Sequence, residues 1–176
     1  GVGTVGSIAG CLGNSADDGT ATGDRNVVLP EPDRDFESSD LPYPAWGEQV
    51  PDVTLPAPLS GGNVPLREVG TPSLLTFFYS NCQTVCPVLM ATARNVQAPA
   101  ANNGYADAVS IHPITFDPQR DTADRLEVYA GEMNVDTTAP NWQFLRPESK
   151  ARAKTVVQEE FGVRFEFDRD SGGVVR

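Results

Sequence analysis

Two cysteines, Cys82 and Cys86, are the residues whose type and spacing in this sequence are best suited to chemistry. An apolar, strand-like segment gives way to a helical pattern at the run Asn81-Cys82-Gln83-Thr84-Val85-Cys86-Pro87. The free N–H groups and the dipole at a helix N-terminus stabilise a thiolate and lower its pKa. Because the thiolate binds metals and attacks disulfides, the pair predicts either a metal site or a redox-active dithiol.

The metal alternatives can be ranked by the ligands that the chain offers. Soft sulfur ligands favour Cu(I), zinc or iron–sulfur clusters. A structural zinc site needs two further Cys or His ligands, and His112 is the single histidine of the sequence. Cu(I) is bound stably by two or three ligands, so it fits the ligands of this chain better than zinc does. Redox enzymes usually carry Cys-x-x-Cys, so the longer gap here favours metal, although spacing alone leaves a disulfide open.

The third cysteine, Cys11, closes a short N-terminal segment of small residues. Ile8-Ala9-Gly10-Cys11 resembles the lipobox of secreted lipoproteins, in which the Cys thiol takes the lipid. We therefore interpret residues 1–11 as the tail of a signal peptide with Cys11 as the lipidated residue. Residues 12–46 are rich in Gly, Ser, Pro and acidic residues and predict a flexible acidic linker, and residues 47–176 are expected to form one domain.

Strand and helix patterns alternate around the cysteines. The continuous apolar run at 73–80 predicts a central strand, and a helix is predicted at Pro87–Val96, with proline in its first turn. The other predicted elements are an edge strand at 51–56, strands at 108–116, 141–145 and 163–167, and helices at 122–133 and 148–161, the last closed by Gly162. This order predicts an α/β fold with a mainly parallel central sheet.

The charge of the chain excludes one large class of partners. The net charge is −11 and the sequence pI is near 4.4, whereas nucleic-acid binding needs clustered Lys and Arg. The abundance of acids and the scarcity of lysine are suggestive of a salt-adapted, halophilic-like acidic surface, with an ordinary acidic extracellular surface as the alternative. No stretch reaches the ~18–20 apolar residues of a membrane span.

Three segments, in chain order, carry a resemblance to one family. The segment from Phe77 to Pro87 looks like the signature of the Sco/SenC family, the segment from Thr115 to Thr122 is similar to that family's Asp-Pro-x-Arg-Asp-Thr stretch, and Asn141-Trp142-Gln143-Phe144-Leu145 is similar to its Trp-containing strand. The resemblance covers roughly residues 47–168. Three matching blocks in order make a chance match improbable.

The resemblance implies a fold and a function. The fold would be thioredoxin-like (glutaredoxin/peroxiredoxin-like), with a central sheet flanked by helices and its C-terminal strands missing from this chain. The protein would be a monomeric, extracytoplasmic, membrane-anchored copper metallochaperone that helps to mature the binuclear copper site of a haem-copper (cytochrome c) oxidase. Cys82 and Cys86 would bind Cu(I) or Cu(II), and the third ligand, a histidine in an Asp-His-Ser segment, is expected beyond Arg176.

The cysteine pair is also compatible with other functions. A thiol–disulfide oxidoreductase that reduces the client's cysteines through Cys82 and Cys86 is the main alternative, and a peroxide-reducing relative of the same fold matches the motif less well. His112 does not occupy the family's ligand position. Four residues are expected to support the site structurally and not as reactive groups: Asp117, Arg120, Asp121 and Trp142.

Overall fold

The computed structural model describes residues 33–167. Its strands are β1 (Thr54–Pro56), β2 (Asn63–Pro65), β3 (Ser73–Phe78) and β4 (Ser110–Thr115), and its helices are α1 (Val85–Asn102), α2 (Ala123–Glu132) and α3 (Lys150–Ala153), which continues as the π-helix Lys154–Glu160. The predicted α/β fold is confirmed. No helix in the described part of the chain is long and apolar enough to cross a membrane.

The sheet that positions the cysteines is parallel. Strands β3 and β4 pair in register from Ser73 opposite Ser110 to Phe78 opposite Thr115. The predicted strand at 141–145 joins β4 in the parallel direction, but as isolated bridges at Trp142 and Leu145 and not as a continuous strand. β1 and β2 form a separate antiparallel pair, of which only the first strand was predicted.

Two hydrophobic cores lie on opposite faces of this sheet because successive side chains of a strand alternate in direction. On one face, helices α1 and α2 pack through Met90 and Leu126 against Phe78 and Ile111, and both cysteines belong to this core. The other face is covered by β1, β2 and α3, which pack around Ile114. The cysteines therefore lie on the α1 and α2 side of the sheet.

Helix α1 is longer than the sequence pattern predicted. It continues past Val96 and through Pro99 to Asn102. Its buried face includes Gln97, a polar residue that interrupts the apolar periodicity of the sequence. The side-chain amide of Gln97 donates to the backbone oxygen of Asp136 at 2.6 Å, which satisfies the buried polar group. Pro99 has no N–H and therefore removes one backbone hydrogen bond from the helix. The helix nevertheless continues, and the next residue, Ala100, is fully buried.

The predicted strand at 163–167 does not form. Phe165 is instead buried against Phe116, with ring centroids 5.0 Å apart, and the side-chain amide of Gln158 donates to the Phe165 backbone oxygen. The alternation that suggested a strand therefore reflects the packing of Phe165 and Phe167 on the core that β1, β2 and α3 cover, which we call the second core. Without a described neighbouring strand to pair with, the backbone of 163–167 stays outside the sheet.

Gly162, which ends the π-helical segment, makes a testable prediction about this packing. Its φ is +68°, and a Cβ at this position would overlap the carbonyl group of Pro42. We expect Gly162→Ala to lower the free energy of unfolding by about 2 kcal/mol, because of left-handed strain and displacement of the Pro42 segment. Urea unfolding would measure this.

The matched control is Gly131→Ala in α2, where a Cβ meets nothing within 4 Å. That exchange should raise stability by about 0.5–1 kcal/mol, as expected for alanine in a helix. Equal stabilities of the two variants would contradict the close approach of Gly162 to Pro42.

Candidate metal centre

Cys82 lies in the turn between β3 and α1 and caps the helix. Its N–H donates to the Tyr79 oxygen at 3.1 Å, which tightens the turn. Its Sγ accepts the Cys86 N–H at 3.4 Å and lies 3.7 Å from the Thr84 hydroxyl oxygen. Thr84 has non-helical φ and ψ, so the cysteines are not two residues of one helix; Cys82 precedes α1 and Cys86 lies in its first turn. The sulfur thereby takes the place of an N-cap oxygen.

The two thiols are free and buried, but they ionise very differently. Burial opposes ionisation of Cys82, yet hydrogen bonds from the Cys86 thiol and from the Thr84 and Cys86 backbone N–H groups outweigh burial and lower the pKa of Cys82 to about 7. Burial raises the pKa of Cys86 to about 12, and the hydrogen bond to Cys82 adds to the rise. At neutral pH the site thus holds one thiolate that is partly formed and one thiol.

The segment that precedes Cys82 is held by a buried carboxylate. Asp121 accepts the Ser80 N–H at 3.2 Å and the Ser80 hydroxyl at 2.5 Å, and it also accepts the hydroxyl of Thr115 at the end of β4. Asp121 is 1% exposed. Because these bonds join the end of β3 to the start of α2, Asp121 links the turn that carries Cys82 to the rest of the fold.

Arg125, which sequence reasoning missed, clamps the same residue from α2. Its guanidinium donates to the Ser80 hydroxyl and to the Ser80 backbone oxygen, each at 3.0 Å, and it pairs with Glu132 at 2.8 Å. The spacing of Arg125 and Glu132 along a helix was readable from the sequence. The contact with Ser80 was not, since it joins residues that only the fold brings together.

The other predicted supporting residues occupy different places. Asp117 is buried, and its carboxylate lies 3.8 Å from the Arg120 Nε. Burial raises the pKa of Asp117, and the nearby Asp121 carboxylate raises it further. Trp142 is buried in the same core as the cysteines, with its ring 5.6 Å from that of Phe144. Their supporting role stays a prediction.

His112 lies away from the thiols. It pairs in register with Leu75, whose side chain packs on the second core, and it lines a cavity of about 370 Å³ together with Leu66 and Val69. Burial lowers its pKa. Within residues 33–167 there is no group of three or more His, Cys, Asp and Glu side chains that could hold a metal ion. The described part of the chain therefore brings two sulfur ligands together and no third ligand.

Residues 67–174 match the family model described as SCO1/SenC. The chain belongs to the SCO1/SenC family. The Sco/SenC resemblance of the three sequence segments is thus confirmed. A curated relative, the SCO1 protein homolog of Bacillus subtilis (strain 168), is 28% identical over 104 residues, which is 57% of this chain and 51% of the relative. This SCO1/SenC chain spans about half the length of the curated relative that it matches.

Solved structures of similar proteins share the fold. The SCO1/SenC family lipoprotein from Bacillus anthracis str. Ames has a TM-score of 0.59 and 18% identity over 73% of this chain and 74% of its own. BsSco, a Sco family protein with a disulfide switch, has a TM-score of 0.57 and 23% identity over 73% and 72%. Copper-bound ScoI of Bradyrhizobium japonicum has a TM-score of 0.52 and 22% identity over 70% and 74%. The predicted thioredoxin-like fold is confirmed.

Some predictions for this SCO1/SenC chain lie outside the described residues. These are the signal-peptide tail at residues 1–11, the lipidated Cys11 and most of the linker at 12–46. Of that linker, residues 33–46 are described and contain the 3-10 turn Ser38–Asp40. The division into these segments stays a prediction.

Proposed function

We propose that this SCO1/SenC chain binds copper through Cys82 and Cys86 and hands it to a client protein. The proposal is carried by two free, buried thiols that lie at one helix N-terminus and are joined by the bond from the Cys86 N–H to the Cys82 sulfur. Thiolates select Cu(I) over hard cations. Copper is here the cargo of the protein and not a resident cofactor.

The ionisation of the pair sets how copper binds. Each thiol loses its proton when it binds the metal, so affinity rises with pH. Cys82 with a pKa of about 7 supplies its sulfur readily, whereas Cys86 with a pKa of about 12 releases its proton to solvent only when an ion that binds thiolate strongly, such as Cu(I), replaces that proton on sulfur. The third ligand that we propose is a histidine in an Asp-His-Ser segment; none of the described residues takes that place.

The client that we propose is the copper-bearing subunit of a haem-copper oxidase, and the role is maturation of its binuclear copper site. Family membership supports this proposal, as does the description of BsSco as a member of a family of cytochrome c oxidase assembly proteins. We further propose that lipid on Cys11 anchors the chain to the outer face of the cytoplasmic membrane. The lipobox-like segment and the related lipoprotein of Bacillus anthracis support that location.

A competition titration with a Cu(I) chelator under reducing conditions tests copper binding. The wild-type chain and Cys11→Ser should each bind one Cu(I), and the double variant Cys82→Ser/Cys86→Ser should bind none tightly. Cys11→Ser is the matched control, since it removes a thiol outside the pair. Stoichiometric Cu(I) on the double serine variant would overturn the proposal.

A second function, thiol–disulfide oxidoreductase, is supported by the unequal thiols. The Cys82 thiolate would attack a client disulfide, form a mixed disulfide and release one client thiolate. Cys86 would then lose its proton to solvent and attack the Cys82 sulfur, which releases the second client thiolate and leaves a Cys82–Cys86 disulfide. Two electrons pass from the cysteine pair to the client in this exchange.

Reaction with a disulfide-bonded peptide in the absence of copper separates the two functions. If the pair acts as a reductase, we expect Cys86→Ser to accumulate a mixed disulfide on Cys82, because the resolving thiol is absent, and the wild-type chain to resolve it. Reduction of the peptide at the rate of free dithiothreitol or slower would contradict the reductase function and leave copper binding as the role of the pair.

A further inference from the structure

The outer side of α1 carries an exposed apolar stripe that starts beside the thiols. Its members recur at helical spacing on the face turned away from the core: Val85, Val88, Thr92 and Val96. Val85 is 56% exposed and Val88 is 63% exposed. We name these four residues the outer stripe. Two apolar side chains, Val85 and Val88, are thus exposed to solvent at the start of α1, the helix that Cys82 caps.

The outer stripe lies on a helix that exposes no charge. Every exposed residue of α1 is uncharged, and its one charged residue, Arg94, is half-buried. The neighbouring helix α2 exposes Asp124, Glu127 and Glu132 instead. The whole chain has a net charge of −11, so an uncharged helix surface departs from the character of the molecule. Contiguous exposed apolar surface is a feature of interaction sites, and three valines of the outer stripe are exposed along one face of α1.

The position of the outer stripe identifies what contacts it. The Cys82 and Cys86 side chains are 6% and 2% exposed, so a group that exchanges with their sulfurs has to come against the surface around them. Val85 lies between the two cysteines in the sequence, and Val88 follows Cys86 by two residues near the end of the first turn of α1. Both valines lie within one helical turn of Cys86, so a protein that bonds to either sulfur has to approach the start of α1 where they are exposed.

We propose that the outer stripe is the docking surface for the client protein, and that it takes an uncharged, apolar rim around the client's own copper-binding cysteines. This inference rests on the proposed function, because it assumes that a client exchanges copper or thiols with Cys82 and Cys86. Apolar contact at the centre leaves the acidic remainder of the chain at the edge, where like charge disfavours other acidic partners.

The test uses the reduced apo form of the soluble, copper-bearing domain of an oxidase subunit as the probe. Cu(I) transfer from the loaded chain is followed for wild type, Val88→Asp, Val88→Leu and Val128→Asp. Val128 is the matched control, since it is a valine on α2 that is 56% exposed, against 63% for Val88. We expect Val88→Asp to slow transfer about tenfold, because a charge has to be desolvated at the contact, and the other two to transfer as wild type does.

Two measurements on the chain alone keep the outcome clear. Cu(I) affinity and thermal unfolding should be the same for Val88→Asp and Val128→Asp, which shows that the site and the fold are intact. If wild type binds no Cu(I), the proposed copper function fails. The outer stripe is then tested with the same domain whose cysteine pair is oxidised to a disulfide, by the yield of mixed disulfide that the Cys82 thiolate of Cys86→Ser forms as it releases one thiolate of the domain.

Three results would overturn the docking surface. Transfer by Val88→Asp at the rate of Val128→Asp would show that the stripe is not covered. A further variant, Val88→Lys, separates charge from burial: a wild-type transfer rate for Val88→Lys together with slow transfer for Val88→Asp would show charge repulsion and not apolar burial. Self-association or vesicle binding of wild type that Val88→Asp abolishes would assign the stripe to a second copy or to a membrane.

Discussion

At pH 8, iodoacetamide should alkylate Cys82 about a hundredfold faster than Cys86. With pKa values of about 7 and about 12, the thiolate fractions differ by about ten-thousandfold, and the higher intrinsic nucleophilicity of the more basic thiolate offsets roughly half of that on a logarithmic scale. The rate at Cys82 should rise with pH through a midpoint of about 7. Peptide mass spectrometry of the initial rates at each cysteine gives both results.

The physical cause of the low pKa has its own variant. Cys86→Ala removes the thiol that donates to Cys82, so the midpoint of Cys82 alkylation should move upward from about 7. Equal labelling of the two cysteines in wild type, or a Cys82 midpoint near that of a free cysteine, would contradict the unequal ionisation of the pair.

The same pKa shifts determine how the pair contributes to stability as the pH changes. The pKa of Cys82 is lower in the folded chain than its ordinary value of 9.0, so the stabilisation is complete above 9.0 and is lost as the pH falls through about 7. The pKa of Cys86 is raised, so its effect is the reverse: stability declines as the pH rises above 9.0. The difference in unfolding free energy between wild type and the double serine variant should therefore peak near pH 9.

Replacing Asp121 by alanine is expected to lower the free energy of unfolding by about 3 kcal/mol. The variant leaves the Ser80 N–H, the Ser80 hydroxyl and the Thr115 hydroxyl without their buried acceptor. Because Ser80 lies two residues before Cys82, the turn should also open, and alkylation of the buried Cys86 should become faster. Urea unfolding and the alkylation rate measure the two effects.

Asp124→Ala is the matched control for Asp121→Ala. Asp124 is an exposed carboxylate in the first turn of α2, so its loss should change stability by less than about 1 kcal/mol and should not alter alkylation of Cys86. A loss of stability in Asp121→Ala with an unchanged Cys86 rate would show that Asp121 supports the fold without positioning the thiols.

The strand, turn and helix around the cysteines were predictable because their signals are local. A continuous apolar run predicts β3, Pro87 marks the first turn of α1, and the cysteines fall between the two. The start of α2 is local as well, since threonine is a preferred N-cap residue and the Thr122 hydroxyl accepts the Arg125 N–H at 3.3 Å. Family membership was likewise readable, since the matching motifs are short runs of neighbouring residues.

Elements that depend on distant partners were harder to predict. Residues 163–167 alternate as a strand does, yet they bury Phe165 against Phe116 and remain outside the sheet, because a strand also needs a neighbouring strand to bond with. The sequence pattern predicted the end of α1 too early, at Val96, because Gln97 is polar and gives no sign of being buried. Its hydrogen bond to the Asp136 backbone oxygen, which permits that burial, depends on the tertiary structure. Periodicity records which side chains are apolar and not which polar ones find a buried partner.

The sequence by itself determined that two cysteines lie at a helix N-terminus in a SCO1/SenC chain, because residue type, spacing and turn signals are local properties. Only the tertiary structure decided that the cysteines are unequal. Cys82 accepts hydrogen bonds at the N-terminus of α1, whereas Cys86 is more deeply buried. Asp121 and Arg125, at the start of α2, hold Ser80 in place. Ionisation depends on burial and on hydrogen bonds made in three dimensions, and spacing along the chain contains neither.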